Sequence, residues 1–365
     1  MSLSINRRDL MRGMIGGAAS LAFPASAIAQ LGPPEGMIAL RFNENPYGPG
    51  ASALKAAAKA SELGAYYAVG ISESLLQTIA RSNDLALDNM VLSSGSNEAL
   101  QAAYVAWGKK GRIVMPAHTY TDHLDYSRRM GVEIVPVPLR KDMAIDLDAM
   151  AAAVNDSVSL VYVCNPNNPT GMTLDGDALR DFCRSVGRKA VIIVDEAYNE
   201  LTDDPEYTSM VDLVRRGENV IVMRTFSKIF GMAGMRVGYG MARPDLAKII
   251  EGHVMAWPNV VGLAAALASY TDDEFVGYSR KKILEGRRMV IDTFRRNGIE
   301  PLPSQANFVY ADIGRNATEL QKKMADRGIL IRGSFPLYPN FSRVSMGRLE
   351  DLEVFDRVFT EVYNA

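Results

Sequence analysis

The chain has 365 residues, enough for one large domain and a smaller one. Hydrophobic residues make up 48% and charged residues 22%, which supports a sizeable core and argues against disorder. The 40 basic and 42 acidic residues leave a net charge of −2, which gives no basis for binding nucleic acid or an anionic membrane surface.

Residues 1–29 read as a separate unit. Arg7-Arg8-Asp9-Leu10-Met11 is a twin-arginine pattern, residues 14–23 are apolar and rich in Gly and Ala, and Ala27-Ile28-Ala29 precedes Gln30. A basic start, an apolar middle and an A-x-A end are the parts of an export signal. The apolar stretch is too short to span a bilayer. The expectation is a twin-arginine-type signal peptide, with the mature chain starting at Gln30 and exported in folded form to the periplasm. The competing reading is an amphipathic N-terminal helix on a cytoplasmic protein.

Residues 30–45 form an arm, with Pro33, Pro34 and Gly36 in its first part. Arg41-Phe42-Asn43-Glu44-Asn45-Pro46-Tyr47-Gly48 is a turn built on Asn, Pro and Gly. Residues 51–63 are Ala-rich and helical in period. Val91-Leu92-Ser93-Ser94-Gly95-Ser96-Asn97 reads as strand, tight turn and helix. Gly95 permits close backbone approach, and the N–H groups of Ser96 and Asn97 open a helix, a ready anion site. Residues 112–116 are a strand leading to His118-Thr119-Tyr120. His118 and His123 lack a third ligand nearby, so no metal site is expected.

A strand over 132–139, a helix over 146–154 and a strand over 160–164 follow. The last delivers Asn165-Pro166-Asn167-Asn168-Pro169-Thr170-Gly171, a loop that two prolines and a glycine hold stiff. After a helix over 174–186, residues 190–194 are apolar and β-branched, and Asp195-Glu196-Ala197-Tyr198 follows. Asp195 thus stands at a strand's carboxyl end, where open α/β sheets bind ligands. Residues 220–223 are a further buried strand, and Thr225-Phe226-Ser227-Lys228 comes directly after it. An ammonium there is hard to desolvate without a partner; one use is a lysine of depressed pKa that forms a Schiff base with a carbonyl. Arg236 can grip a phosphate bidentately, with Ser227 adding a hydroxyl. Beyond Gly240 the pattern changes to long helices over 259–270 and 276–297, then strands over 305–310 and 328–332. Cys164 in a strand and Cys183 in a helix read as reduced core residues with no disulfide framework. Strands alternating with helices imply a mostly parallel sheet with right-handed crossovers, followed by a smaller α+β part.

In order and spacing, the three stretches at 165–171, 195–198 and 225–236 resemble the fold type I pyridoxal-phosphate aminotransferases of class I/II, and in particular the histidinol-phosphate aminotransferase branch. The resemblance runs from about Arg41 to near the end of the chain. It implies an α/β fold, with a large cofactor domain at 46–258 and a small domain at 259–365. It also implies a homodimer with a shared active site, and transfer of an amino group between an amino acid or amine and a 2-oxo acid. By resemblance Lys228 carries pyridoxal 5'-phosphate as a Schiff base and shuttles the proton. Asp195 keeps the pyridine nitrogen protonated, Asn168 and Tyr198 bond the phenolic oxygen, and Tyr120 stacks on the ring. Gly95, Ser96, Asn97, Ser227 and Arg236 hold the phosphate, joined by Tyr66 of the neighbouring subunit. Tyr47, Arg332 and Arg343 face the substrate, Arg343 gripping its carboxylate. Where the family carries Arg-Tyr-Pro this chain has Ala65-Tyr66-Tyr67. The cofactor motifs leave open a decarboxylase or β-lyase on the same fold, or a cofactor-binding protein without turnover. They also leave open which amines and 2-oxo acids are used.

Overall fold

Runs of Val, Ile and Leu too short for helices supply the central strands. The computed structural model describes residues 32–365, so the expected export signal, together with Gln30 and Leu31 of the arm, lies outside the described residues. The strands are β1 (Ile38–Leu40), β2 (Met90–Ser93), β3 (Arg112–Pro116), β4 (Ile134–Val137), β5 (Val158–Cys164), β6 (Val191–Asp195), β7 (Val220–Thr225), β8 (Gly238–Ala242), β9 (Phe308–Asp312), β10 (Ile329–Ile331) and β11 (Phe341–Ser345). Seven of them form one sheet in the order β2-β8-β7-β6-β5-β3-β4, in which only β8 runs antiparallel to its neighbours. β1 pairs with β10 in parallel, and β9 with β11 in antiparallel fashion.

The large sheet is covered on both faces, as mostly parallel sheets must be. Val161, Val163, Ile192 and Val194 belong to one buried cluster, while Leu160, Tyr162, Val191 and Ile193 belong to another. This alternation is the period-2 signature of strands that bury both faces. The helix Gly176–Val186 packs Leu179, Phe182 and Val186 into the first cluster. The helix Ser96–Gly108 packs Leu100, Ala103 and Tyr104 into the second. That helix Gly176–Val186 begins two residues later than its sequence suggests, because Asp175 caps it, accepting from the Ala178 N–H at 2.9 Å.

Register aligns the chemistry. Cys164 stands beside Asp195, and Asp195 beside Met223. The carboxyl ends of β5, β6 and β7 are therefore level, and the loops leaving them converge. Residues Ile38–Ala365 form one compact unit. In Gly32–Met37, the Met37 N–H closes a turn on the Pro34 carbonyl at 3.0 Å.

Candidate active site

A cavity of about 490 Å³ opens at these carboxyl ends. One wall is a cup for an anion. The helix Ser96–Gly108 has Gly95 as its N-cap, at φ +81°, and no side chain caps its first turn. A Cβ on Gly95 would stand 2.1 Å from Nη2 of Arg236, so only glycine admits the guanidinium. A Cβ on Gly238 would stand 2.1 Å from the Ser96 nitrogen. Arg236 is itself left-handed, at φ +56°, and its Nη1 donates to Ala233 O at 2.9 Å and to Ser227 Oγ at 3.4 Å. Ser96, Asn97, Ser227 and Arg236 all line the cavity.

Asp195 closes the floor. It is 3% exposed, and burial pushes its carboxyl up to about 6, although the Tyr162 hydroxyl donates to Oδ2 at 2.9 Å and the Ala197 N–H to Oδ1 at 3.2 Å. Lys228, which follows β7 by three residues, is partly buried. Its Nζ donates to Asn43 O at 3.2 Å and lies 5.5 Å from the Tyr198 ring centroid. Desolvation first, then the Arg343 charge, lowers its pKa to about 8. The neutral amine that a nucleophile requires is therefore far more populated near neutral pH than for an ordinary lysine.

Asn168, held in the loop after β5, donates from Nδ2 to the Tyr198 hydroxyl at 3.3 Å. Its Oδ1 accepts from Nη1 of Arg343 at 2.5 Å. Arg343, on β11, is buried and also donates from Nη2 to Arg41 O at 3.0 Å, while its Nε has no partner. Burial lowers its pKa to about 10. Arg332 pairs with Arg343 through the backbone, stays exposed, and sets its guanidinium 5.2 Å from the Phe335 ring centroid. Tyr120 lines the same cavity, with its hydroxyl 3.4 Å from Asn97 Oδ1.

Tyr47 and Tyr66 both lie outside this chain's cavity, Tyr66 having been expected at the neighbouring subunit's cup. Tyr47 is not among the cavity-lining residues. Its hydroxyl accepts from the Leu349 N–H at 2.9 Å, because the first turn of the last helix offers an otherwise uncapped donor. Tyr66 is 72% exposed and also lies outside this chain's cavity. His118 and His123 go to separate uses: His118 Nε2 bonds the Tyr310 hydroxyl at 2.9 Å, and His123 packs edge-on to Tyr104 at 4.4 Å. No group of three His, Cys, Asp or Glu that could hold a metal occurs among the described residues.

Two site residues carry no role in the sequence reading. Asn43 is buried at φ +55° and joins distant segments. Its Nδ2 donates to the Tyr198 hydroxyl at 3.1 Å, its N–H donates to Ser345 Oγ at 2.9 Å, and its carbonyl receives Lys228. A polar residue placed inside an Asn-Pro-Gly turn gives little local sign of this. The other is Asp122, which lines the cavity two residues beyond Tyr120; its signal was a carboxylate beside the expected stacking aromatic.

An α/β sheet with a lysine, a buried carboxylate and an arginine-lined anion cup at its carboxyl edge defines a cofactor enzyme of the transferase type. The chain belongs to the aminotransferase class I and II family, whose model matches residues 35–357. It is 34% identical over 330 residues to the histidinol-phosphate aminotransferase of Brevibacillus brevis, covering 89% of this chain and 90% of that protein. It is 36% identical over 333 residues to that of Symbiobacterium thermophilum, covering 90% of each. Among solved structures it is similar to the histidinol-phosphate aminotransferase from Sinorhizobium meliloti in complex with pyridoxal-5'-phosphate. There the TM-score is 0.82 and the identity 26%, over 95% of this chain and 99% of that one.

Proposed function

We propose that this chain is a pyridoxal-phosphate aminotransferase that moves an amino group between an amine or amino acid of the histidinol-phosphate type and a 2-oxo acid. The observation that carries the reading is the convergence of Lys228, Asp195, Asn168 and Arg236, from separate segments, on one cavity. The residues fit the cofactor: the cup of Ser96, Asn97, Ser227 and Arg236, which Gly95 and Gly238 let close together, suits a phosphate, and Lys228 is an amine poised to hold an aldehyde. When bound, pyridoxal phosphate supplies an electron sink for breaking a bond at the donor's amino-bearing carbon. Ser227, Arg236 and the N–H groups of Ser96 and Asn97 would hold its phosphate. Asp195 would hold a proton on its ring nitrogen, and Asn168 and Tyr198 would orient its phenolic oxygen. Lys228 Nζ would take the proton from the donor's amino-bearing carbon and, with the acceptor bound, deliver one to the acceptor's carbon. Arg343 presents a planar fork that suits the substrate's anionic group.

The test is transfer from L-histidinol phosphate, and from a panel of amino acids, to 2-oxoglutarate. Wild type should form glutamate, and Lys228→Ala should lose both turnover and the yellow absorbance of the bound cofactor. Normal turnover by Lys228→Ala would mean that another lysine is the nucleophile. Release of carbon dioxide or ammonia in place of glutamate would move the chain to the decarboxylases or β-lyases.

The working unit in this reading is a homodimer in which Tyr66 reaches the partner's phosphate cup. Its support is the exposure of Tyr66, Tyr67 and Trp257 on one chain. Export rests on the sequence alone: the Arg7-Arg8 pattern, the apolar stretch and Ala27-Ile28-Ala29 make one coherent signal. The double variant Arg7→Lys, Arg8→Lys should accumulate uncleaved and active in the cytoplasm. Cell fractionation with N-terminal sequencing decides it, and an intact start on cytoplasmic wild-type protein would overturn export.

A further inference from the structure

The cavity contains a carboxylate that none of the roles above employs. Its charged lining consists of Lys228, Arg236, Arg332, Arg343, Asp195 and Asp122. Arg236 belongs to the phosphate cup, and Asp195 is buried under the Tyr162 and Ala197 hydrogen bonds. Arg343 is tied to Asn168 and Arg41, and with Arg332 it offers positive charge to a substrate's anionic group. Asp122 is exposed, and among the described residues it takes part in no ion pair. Its carboxylate acts on the Tyr120 hydroxyl, two residues away in sequence, and its charge is felt at Arg343. Phe42, Phe335 and Pro336 belong to the same lining, which also holds Thr119 and Thr121.

We propose that Asp122 is a specificity-determining residue that selects amino donors whose side chain ends in a protonated nitrogen. A lining that offers Phe42, Phe335 and Pro336 together with one exposed carboxylate outside any ion pair among the described residues suits an aliphatic stem with a cationic tip, the arrangement by which such side chains bury their methylenes and keep their charge paired. With the donor's anionic group on the Arg343 side, the cation falls to the remaining negative group of the lining. A neutral side chain of the same shape would offer Asp122 no charge-assisted hydrogen bond and would leave its carboxylate only the Tyr120 hydroxyl beside it. The proposal rests on the aminotransferase reading. A rival role for Asp122 is to offset the charge of Arg343, which would favour no donor in particular.

The test compares isosteric donors, lysine against norleucine and ornithine against norvaline, on the cofactor-loaded enzyme. Wild type should favour the cationic member of each pair in kcat/KM. Asp122→Asn should lower that preference roughly tenfold or more, the effect of losing one charge-assisted hydrogen bond, and Asp122→Glu should restore part of it. Equilibrium binding of α-methyl lysine and α-methyl norleucine, followed through the cofactor's absorbance, should show the same loss without turnover. An unchanged preference in Asp122→Asn, or an equal change for both members of a pair, would overturn the role of Asp122 while leaving the aminotransferase reading intact. A wild-type enzyme that favours the neutral donors would also overturn it. Absence of transfer from every donor, histidinol phosphate included, would overturn both.

Discussion

Asp195 concentrates the physics of the site in one side chain. A carboxyl group without solvent resists ionisation, and burial accordingly raises its pKa to about 6 even with two hydrogen bonds favouring the anion. Such a group gains most from a cationic partner placed against it, and a protonated ring nitrogen is one. Asp195→Asn should therefore leave the cofactor bound, since the phosphate cup and Lys228 are untouched, yet cut turnover heavily. A loss of roughly three to five powers of ten is expected, at about 1.4 kcal/mol for each power. Cofactor content by absorbance and single-turnover rates measure the two halves separately, and near-normal turnover would end this role. Asp195, Lys228 and Asn168 were legible because each stands at or within four residues of the carboxyl end of an apolar run, where such sheets bind ligands, and because the motifs that hold them resemble those of a known family. Asp122 lies in a turn two residues beyond Tyr120, whereas Asn43 owes its place to chain brought in from afar. Asn43 meets Ser345 across 302 residues, which no local pattern announces.

At the scale of elements, the strands of the large sheet were readable because burial on both faces forces unbroken Val, Ile and Leu runs. The expected strand over 132–139 shrinks to Ile134–Val137, where it pairs with β3. Strand β11 went unread because Phe341–Ser345 is short and has only two apolar residues, Phe341 and Val344, set three apart so that period-2 alternation is broken. The helix Leu349–Asn364 also went unread, although Leu352, Phe355, Phe359 and Val362 are buried at helical spacing. Its N-cap, Arg348, supplies no side-chain hydrogen bond, and the Tyr47 hydroxyl fills that place across 302 residues. Tyr47 thus ties the entry turn to the last helix. Tyr47→Phe should cost about 1 kcal/mol of stability, typical of a lost cap or hydrogen bond. Denaturant unfolding beside steady-state kinetics separates the alternatives. Unchanged stability with a raised KM would return Tyr47 to the substrate site that the family resemblance implies.

For the whole molecule, the question is whether one chain completes its own site. The cavity holds Lys228, Asp195 and Arg236 from a single chain, while Tyr66 faces solvent beside Tyr67, which is 90% exposed and meets Trp257 edge-on at 6.0 Å. Aromatic rings exposed together mark a surface that something covers. A second copy covering it would bring Tyr66 to the other chain's phosphate cup, and each site would then draw Lys228 from one chain and Tyr66 from its partner. Variants Lys228→Ala and Tyr66→Ala should each be impaired, yet complement when unfolded together and refolded as a mixture. In a mixed dimer, the site holding Lys228 of the Tyr66→Ala chain receives Tyr66 from the Lys228→Ala chain, so one of the two sites is whole. Random pairing of equal amounts makes half of the dimers mixed, so the recovered activity should approach roughly one quarter of wild type, as follows from two-fold symmetry. Sites completed within one chain would instead give only the average of the two separate variants. Sedimentation on the same mixture reports the dimer directly, and a monomer with full activity would remove Tyr66 from the site.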